Sequence, residues 1–102
     1  MAQNFEDLVV WQRAIELTVC IYKLTRTLPK DELYGLVSQI RRASISVTSN
    51  IAEGRGRRSP AEFRQFLSMA QGSTFELKTQ LVVVGRLEFG DGNALNESQA
   101  LA

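Results

Sequence analysis

Histidine is absent from the chain, and that absence narrows its chemistry more than any residue that is present. Imidazole is the side chain most used for proton transfer near neutral pH and the commonest metal ligand. A carboxylate di-iron bundle, with its Glu-x-x-His pairs, is therefore excluded. A Ser or Cys nucleophile would lack its imidazole base. One cysteine, Cys20, permits neither an internal disulfide nor a cysteine-cluster zinc site, and suits a reducing cytoplasm. Cys20 lies among Val19, Ile21 and Tyr22, the setting of a buried, inert thiol. No apolar run approaches the roughly 18 residues of a membrane span, and residues 1–4 do not open a signal peptide. Charge of one sign is lacking as well. Twelve Lys and Arg against eleven Asp and Glu leave +1, no global field for nucleic acid or a membrane. No cofactor, metal or small-molecule substrate is expected.

What is there is ordinary for a globular chain. Its 102 residues are 44% hydrophobic and 23% charged, which fits one domain spanning 1–102. The two prolines, Pro29 and Pro60, stand where helices should stop or start. Before Pro29, two apolar series (Leu8, Trp11, Ile15, Tyr22 and Ala14, Leu17, Ile21, Leu24, Leu28) step by three, four or seven and predict a helix over about 8–27. Leu33, Leu36, Ile40, Ala43 and Val47 predict a second over about 32–53, opened by Lys30 or Asp31. Its expected end is at Gly54-Arg55-Gly56, two glycines able to take left-handed caps. Ser59-Pro60-Ala61-Glu62 is a capping box. The apolar series Phe63, Phe66, Ala70, Leu77, Leu81 and Val84 continues from it, predicting the longest helix over about 60–88. After Gly90-Asp91-Gly92-Asn93 only a two-turn helix fits, over about 94–102 and capped by Asn93 or Asn96. Long helices with short connections and no hairpin signal make an all-α, antiparallel up-down four-helix bundle: three long helices and a short or truncated fourth. Trp11 and the phenylalanines are expected in its core.

The near-zero net charge hides an asymmetry. Residues 35–64 carry six arginines (Arg41, Arg42, Arg55, Arg57, Arg58, Arg64) against only Glu53 and Glu62. Arginine suits bidentate pairing with phosphate or carboxylate. Three readings stand side by side: a turn that contacts nucleic-acid phosphates, a solvated turn that satisfies helix-end carbonyls, and arginines that pair with acids of a neighbouring subunit. Polar stripes accompany the apolar ones, with Gln39, Arg42, Ser46, Asn50 and Glu53 on the second helix and Ser73, Glu76 and Gln80 on the third. Such stripes face water in a monomer, but on a seam they fix register and partner number. Glu53, at the negative end of its helix, is expected to pair with one of the arginines that follow. Gly72, mid-helix, costs about 1 kcal/mol against Ala; close approach of another helix explains it, and so does simple tolerance.

Asp7-Leu8-x-x-Trp11-Gln12-x-Ala14, Glu32-x-Tyr34-Gly35-Leu36 with Gln39-Ile40-Arg41-Arg42-Ala43, and Ser46-x-x-Ser49-Asn50-Ile51-Ala52-Glu53-Gly54 together resemble a known family. It is the four-helix-bundle family named for proteins encoded in 23S rRNA intervening sequences. Phe63-x-x-Phe66-Leu67-x-x-Ala70-x-Gly72-Ser73 and Glu76-Leu77 extend the likeness, which spans about residues 5–89. The resemblance implies a ring-like homo-oligomer, often a pentamer. Relatives include the accessory variability protein of diversity-generating retroelements, a basic barrel thought to hold a reverse transcriptase and nucleic acid. Carried over by position, Asn50, Glu53, Ser73 and Glu76 form the family's recurring polar group, and Arg41, Arg42 and Arg55 its basic group. Relatives carry a full fourth helix where this sequence has residues 94–102. Either the chain is truncated or its last helix is a stub, and the uncovered side of the other three would take its cover from another subunit.

The reading that follows is a non-enzymatic homo-oligomeric bundle, an accessory to RNA or a ribonucleoprotein. The alternative is a purely structural or protein-binding oligomer that contacts no nucleic acid. A nuclease-like enzyme using Glu53 or Glu76 has no His, metal cluster or paired-acid spacing behind it.

Overall fold

The computed structural model describes residues 4–102; residues 1–3, part of the segment read above for a leader, lie outside it. Asn4 caps a short 3₁₀ turn, Phe5–Asp7, by accepting from the Glu6 amide at 3.2 Å. Helix α1 then runs Val9–Thr25 and turns Ala14, Leu17, Ile21 and Leu24 inward, the second of the two expected series. The first series (Leu8, Trp11, Ile15, Tyr22) is only half-buried. The chain stops being helical just before Leu28-Pro29, as the ring of a proline demands of the residue ahead of it.

The second helix starts differently from the expectation. Lys30–Glu32 forms a 3₁₀ turn and Leu33–Val37 a π turn, and the regular helix α2 runs Ser38–Arg55. Glu32, not Lys30 or Asp31, caps the start: its side chain accepts from the Leu36 amide at 3.3 Å. A π turn widens the i→i+4 ladder to i→i+5 and shifts the register. Leu33, first in the expected apolar series, is consequently exposed, and the buried positions become Val37, Ile40, Ala43, Ser44, Val47 and Ile51. The end differs too. Gly56 closes α2 in a right-handed conformation (φ −76°), so neither Gly54 nor Gly56 supplies a left-handed cap. Gly54 is needed for contact instead: a Cβ there would stand 2.5 Å from the Phe66 Cβ.

Helix α3 spans Pro60–Arg86, about 40 Å at 1.5 Å per residue. Its start follows the capping box: the Ser59 hydroxyl accepts from the Glu62 amide at 3.1 Å, and the Glu62 carboxylate accepts from that hydroxyl at 3.4 Å. The turn beyond it has left-handed backbone at Glu88 (φ 56°) and Gly90 (φ 75°). Helix α4, Gly92–Leu101, is capped by Asp91, not by Asn93 or Asn96. The Asp91 carboxylate accepts from the Asn93 amide at 2.8 Å and from the Ala94 amide at 3.4 Å.

Short turns join the four helices, which pack in the cyclic order α1, α2, α3, α4 into a rod of 46 × 20 × 18 Å. The core has two parts. Leu17, Ile21, Leu24, Ile40, Leu77, Leu81 and Val84 fill the half that α4 covers, with Leu95 and Leu101 packed on them. Ala14, Val47, Ile51 and Ala70 fill the other half, with Trp11 and Leu67 at their margin. Ten-residue α4 extends only about 15 Å. Past its end an open groove of about 500 Å³ separates α1 from α3, floored by Val47 and Ile51. The expectation for the aromatic residues holds in part, since Phe63 and Phe66 are half-buried but Phe75 is 57% exposed. Cys20 is half-buried rather than buried.

Candidate functional site

The six arginines do not form one patch. Arg41 and Arg42 lie near the start of α2, and Arg55 at its end, fourteen residues and about 21 Å further along the axis. Arg55, Arg57, Arg58 and Arg64 gather at the α2–α3 turn. Two of them are engaged within the chain. The Arg57 guanidinium donates to Glu53 Oε1 at 2.8 Å and lies 4.8 Å from the centroid of the Phe66 ring. Arg55 lies over the Phe63 ring at 5.7 Å. Glu53 thus has the cationic partner its place at a helix end requires. Among the described residues, Arg58 and Arg64 have no hydrogen bond, ion pair or ring contact; both are exposed.

Arg41 leans on α1 through two contacts. Its Nε donates to Thr25 Oγ1 at 2.8 Å, and its guanidinium lies 4.6 Å from the centroid of the Tyr22 ring. Arg42 has no partner among the described residues and stands on a ridge of α2. On one side of it lies a polar cleft of about 280 Å³ with Gln39, Ser46 and Glu76. On the other lies a cleft of about 480 Å³ with Tyr22, Tyr34 and Arg41.

The polar stripes of α2 and α3 do meet. Ser46 and Ser73 share a hydrogen bond of 2.8 Å across the two helices. Asn50 Nδ2 donates to the Ser46 carbonyl at 2.8 Å and to its hydroxyl at 3.1 Å. Gln80, 8% exposed, donates from Nε2 to Glu76 Oε2 at 3.4 Å, while its Oε1 is buried without a partner. Leaving such an acceptor unpaired costs about 1–3 kcal/mol. Gly72 lies beside this seam, and a Cβ there would meet nothing within 4 Å. No other helix of the chain approaches it, so the fold itself does not call for glycine there.

Among the described residues no group of three or more Cys, Asp or Glu could hold a metal ion. Glu53 and Glu76, the two acids weighed for acid–base chemistry, are bonded to Arg57 and Gln80 respectively. Nor is any helix among the described residues long and apolar enough to cross a membrane.

The family model of the 23S rRNA-intervening sequence proteins matches residues 6–102, nearly the whole chain. The chain belongs to this family. Compared with curated proteins, the sequence matches none. For this intervening-sequence protein, the four positions carried over as the family's polar group fall on neighbouring helices. Asn50 and Ser73 are linked through Ser46, whereas Glu53 turns to Arg57 and Glu76 to Gln80. Leu33, expected in the core series, and Tyr34 and Ile45, expected at no site, are exposed beside Arg41 and Arg42. In the sequence, Tyr34 and Ile45 lie off every apolar series.

Proposed function

We propose that this member of the 23S rRNA-intervening sequence family is a non-catalytic bundle that assembles with copies of itself and serves as an accessory to RNA. The observation that carries self-assembly is Gly72, a mid-helix glycine facing open space beside the half-buried Ser46–Ser73–Asn50 network. A glycine costs a helix about 1 kcal/mol against Ala, and here no contact within the chain compensates. Met69 and Val83, 43% and 41% exposed on the same helix, add apolar area. A second copy seated on the α2–α3 face answers all of these. A closed ring, five copies in number, is the form the family likeness implies.

Light scattering on the purified chain tests this. The expected mass is several times 11.4 kDa. Gly72→Leu should lower that mass while leaving the helical content intact. A monodisperse wild-type monomer overturns the proposal.

RNA contact draws support from Arg58 and Arg64, exposed and unpartnered at the end where Arg55 and Arg57 lie over phenyl rings. Exchanging both for Ala should weaken RNA binding and flatten its salt dependence by about 0.7 in log–log slope for each lost single-strand contact. The competing reading, a purely structural oligomer, is favoured by the internal use of Arg57, on Glu53 and Phe66. Undetectable RNA affinity at about 50 mM salt would decide for that alternative.

A further inference from the structure

The cleft between α1 and the start of α2 combines features of which only Arg42 also borders the self-assembly face. Tyr34, on the π turn, is 93% exposed, the highest value among the large apolar and aromatic side chains left open. Leu33 and Ile45, 48% and 42% exposed, line the same cleft, so three exposed apolar or aromatic side chains stand together there. Two guanidinium groups join them. Arg41 is fixed by Thr25 Oγ1 and the Tyr22 ring, but only its Nε is engaged in a hydrogen bond. Arg42 has no partner among the described residues. Among the described residues no carboxylate lines the cleft. The nearest acid in sequence, Glu32, is turned to the Leu36 amide, and Glu76, which shares the cleft across the ridge, forms no ion pair with Arg42.

A ligand suited to this cleft has an anion beside a flat aromatic face. Planar guanidinium groups bind phosphate oxygens in pairs, and an open tyrosine ring stacks a base of any sequence. An acidic peptide would engage the arginines but leave the ring idle. We infer that this cleft binds one nucleotide of single-stranded RNA, its base stacked on Tyr34 and its phosphate held by Arg41 and Arg42. The inference rests on the RNA reading above and adds to it a site at the opposite end of α2 from the Arg58 and Arg64 turn.

Fluorescence anisotropy with a labelled oligouridine, at low salt, tests it on the whole chain. Tyr34→Ala should weaken binding about 5- to 140-fold, whereas Tyr34→Phe, which keeps a ring to stack on, should retain affinity. Arg42→Ala should weaken binding and lower the salt slope by about 0.7. Equal melting temperatures for the variants and the wild type verify that folding is unaffected. If the wild type binds RNA and Tyr34→Ala binds it equally well, the site is wrong although RNA binding stands. If the wild type binds no RNA, the broader reading falls with it. If polyglutamate displaces the oligouridine at equal charge concentration, the cleft recognises acidic chains and not a nucleotide, and the inference is overturned.

Discussion

A methyl group added at Gly54 and one added at Gly72 have opposite consequences. At Gly54 the new carbon would sit 2.5 Å from the Phe66 Cβ, a part of the side chain that cannot swing away. Gly54→Ala should therefore destabilise the fold by about 1–3 kcal/mol, the usual range for overpacking, even though alanine is the better helix former. At Gly72 there is nothing within 4 Å. Gly72→Ala should stabilise the isolated bundle by about 1 kcal/mol and, where copies meet at that face, weaken their association. Urea denaturation of each variant at low protein concentration gives the two signs. The sequence suggests a cap at Gly54 and a mid-helix position at Gly72, but the packing of α2 against α3 sets the sign of each substitution.

At the scale of elements, α4 depends on its cap. Ten residues make a marginal helix, and Asp91 satisfies two of its amides, at Asn93 and Ala94. Asp91→Ala should cost about 1 kcal/mol and fray α4 first, visible as a loss of helical ellipticity before the main thermal transition. The existence, order and core faces of the helices were legible because apolar spacing and capping chemistry are local. Ser59-Pro60-Ala61-Glu62 and the series from Ala14 to Leu28 are the clearest cases. The start of α2 was not legible. A π turn has no side-chain signature of its own, so Leu33 was counted inward when it faces out at 48% exposure. The cap of α4 was misplaced for a related reason: Asp91, Asn93 and Asn96 are all good caps, and the choice depends on where Gly90 can pack. A Cβ on Gly90 would come within 2.7 Å of Thr27 Oγ1, and that oxygen accepts from the Asp91 amide at 2.9 Å.

For the whole molecule, proximity in sequence misled about proximity in space. Six arginines within residues 35–64 read as one basic surface, yet a straight α2 carries Arg41 and Arg42 to one end and Arg55 to the other. The pairing of Glu53 with a following arginine was foreseeable, because it spans a single helical turn. The bond between Ser46 and Ser73 spans two helices, and periodicity supplied the stripes but not their register. The unequal coverage of the rod has a consequence for how it breathes. Where α4 closes the barrel, Ile21, Ile40, Leu77 and Leu81 have no solvent exposure at all, while Ala14 and Val47, beside the open groove, retain a little. Backbone amides near Ile40 and Leu81 should accordingly trade deuterium only through global unfolding, and those near Val47 and Ala70 through cheaper partial opening. Mass spectrometry of the exchanging protein would then show two protection classes within each of α2 and α3, with the less protected class becoming slow wherever a second molecule settles over the gap.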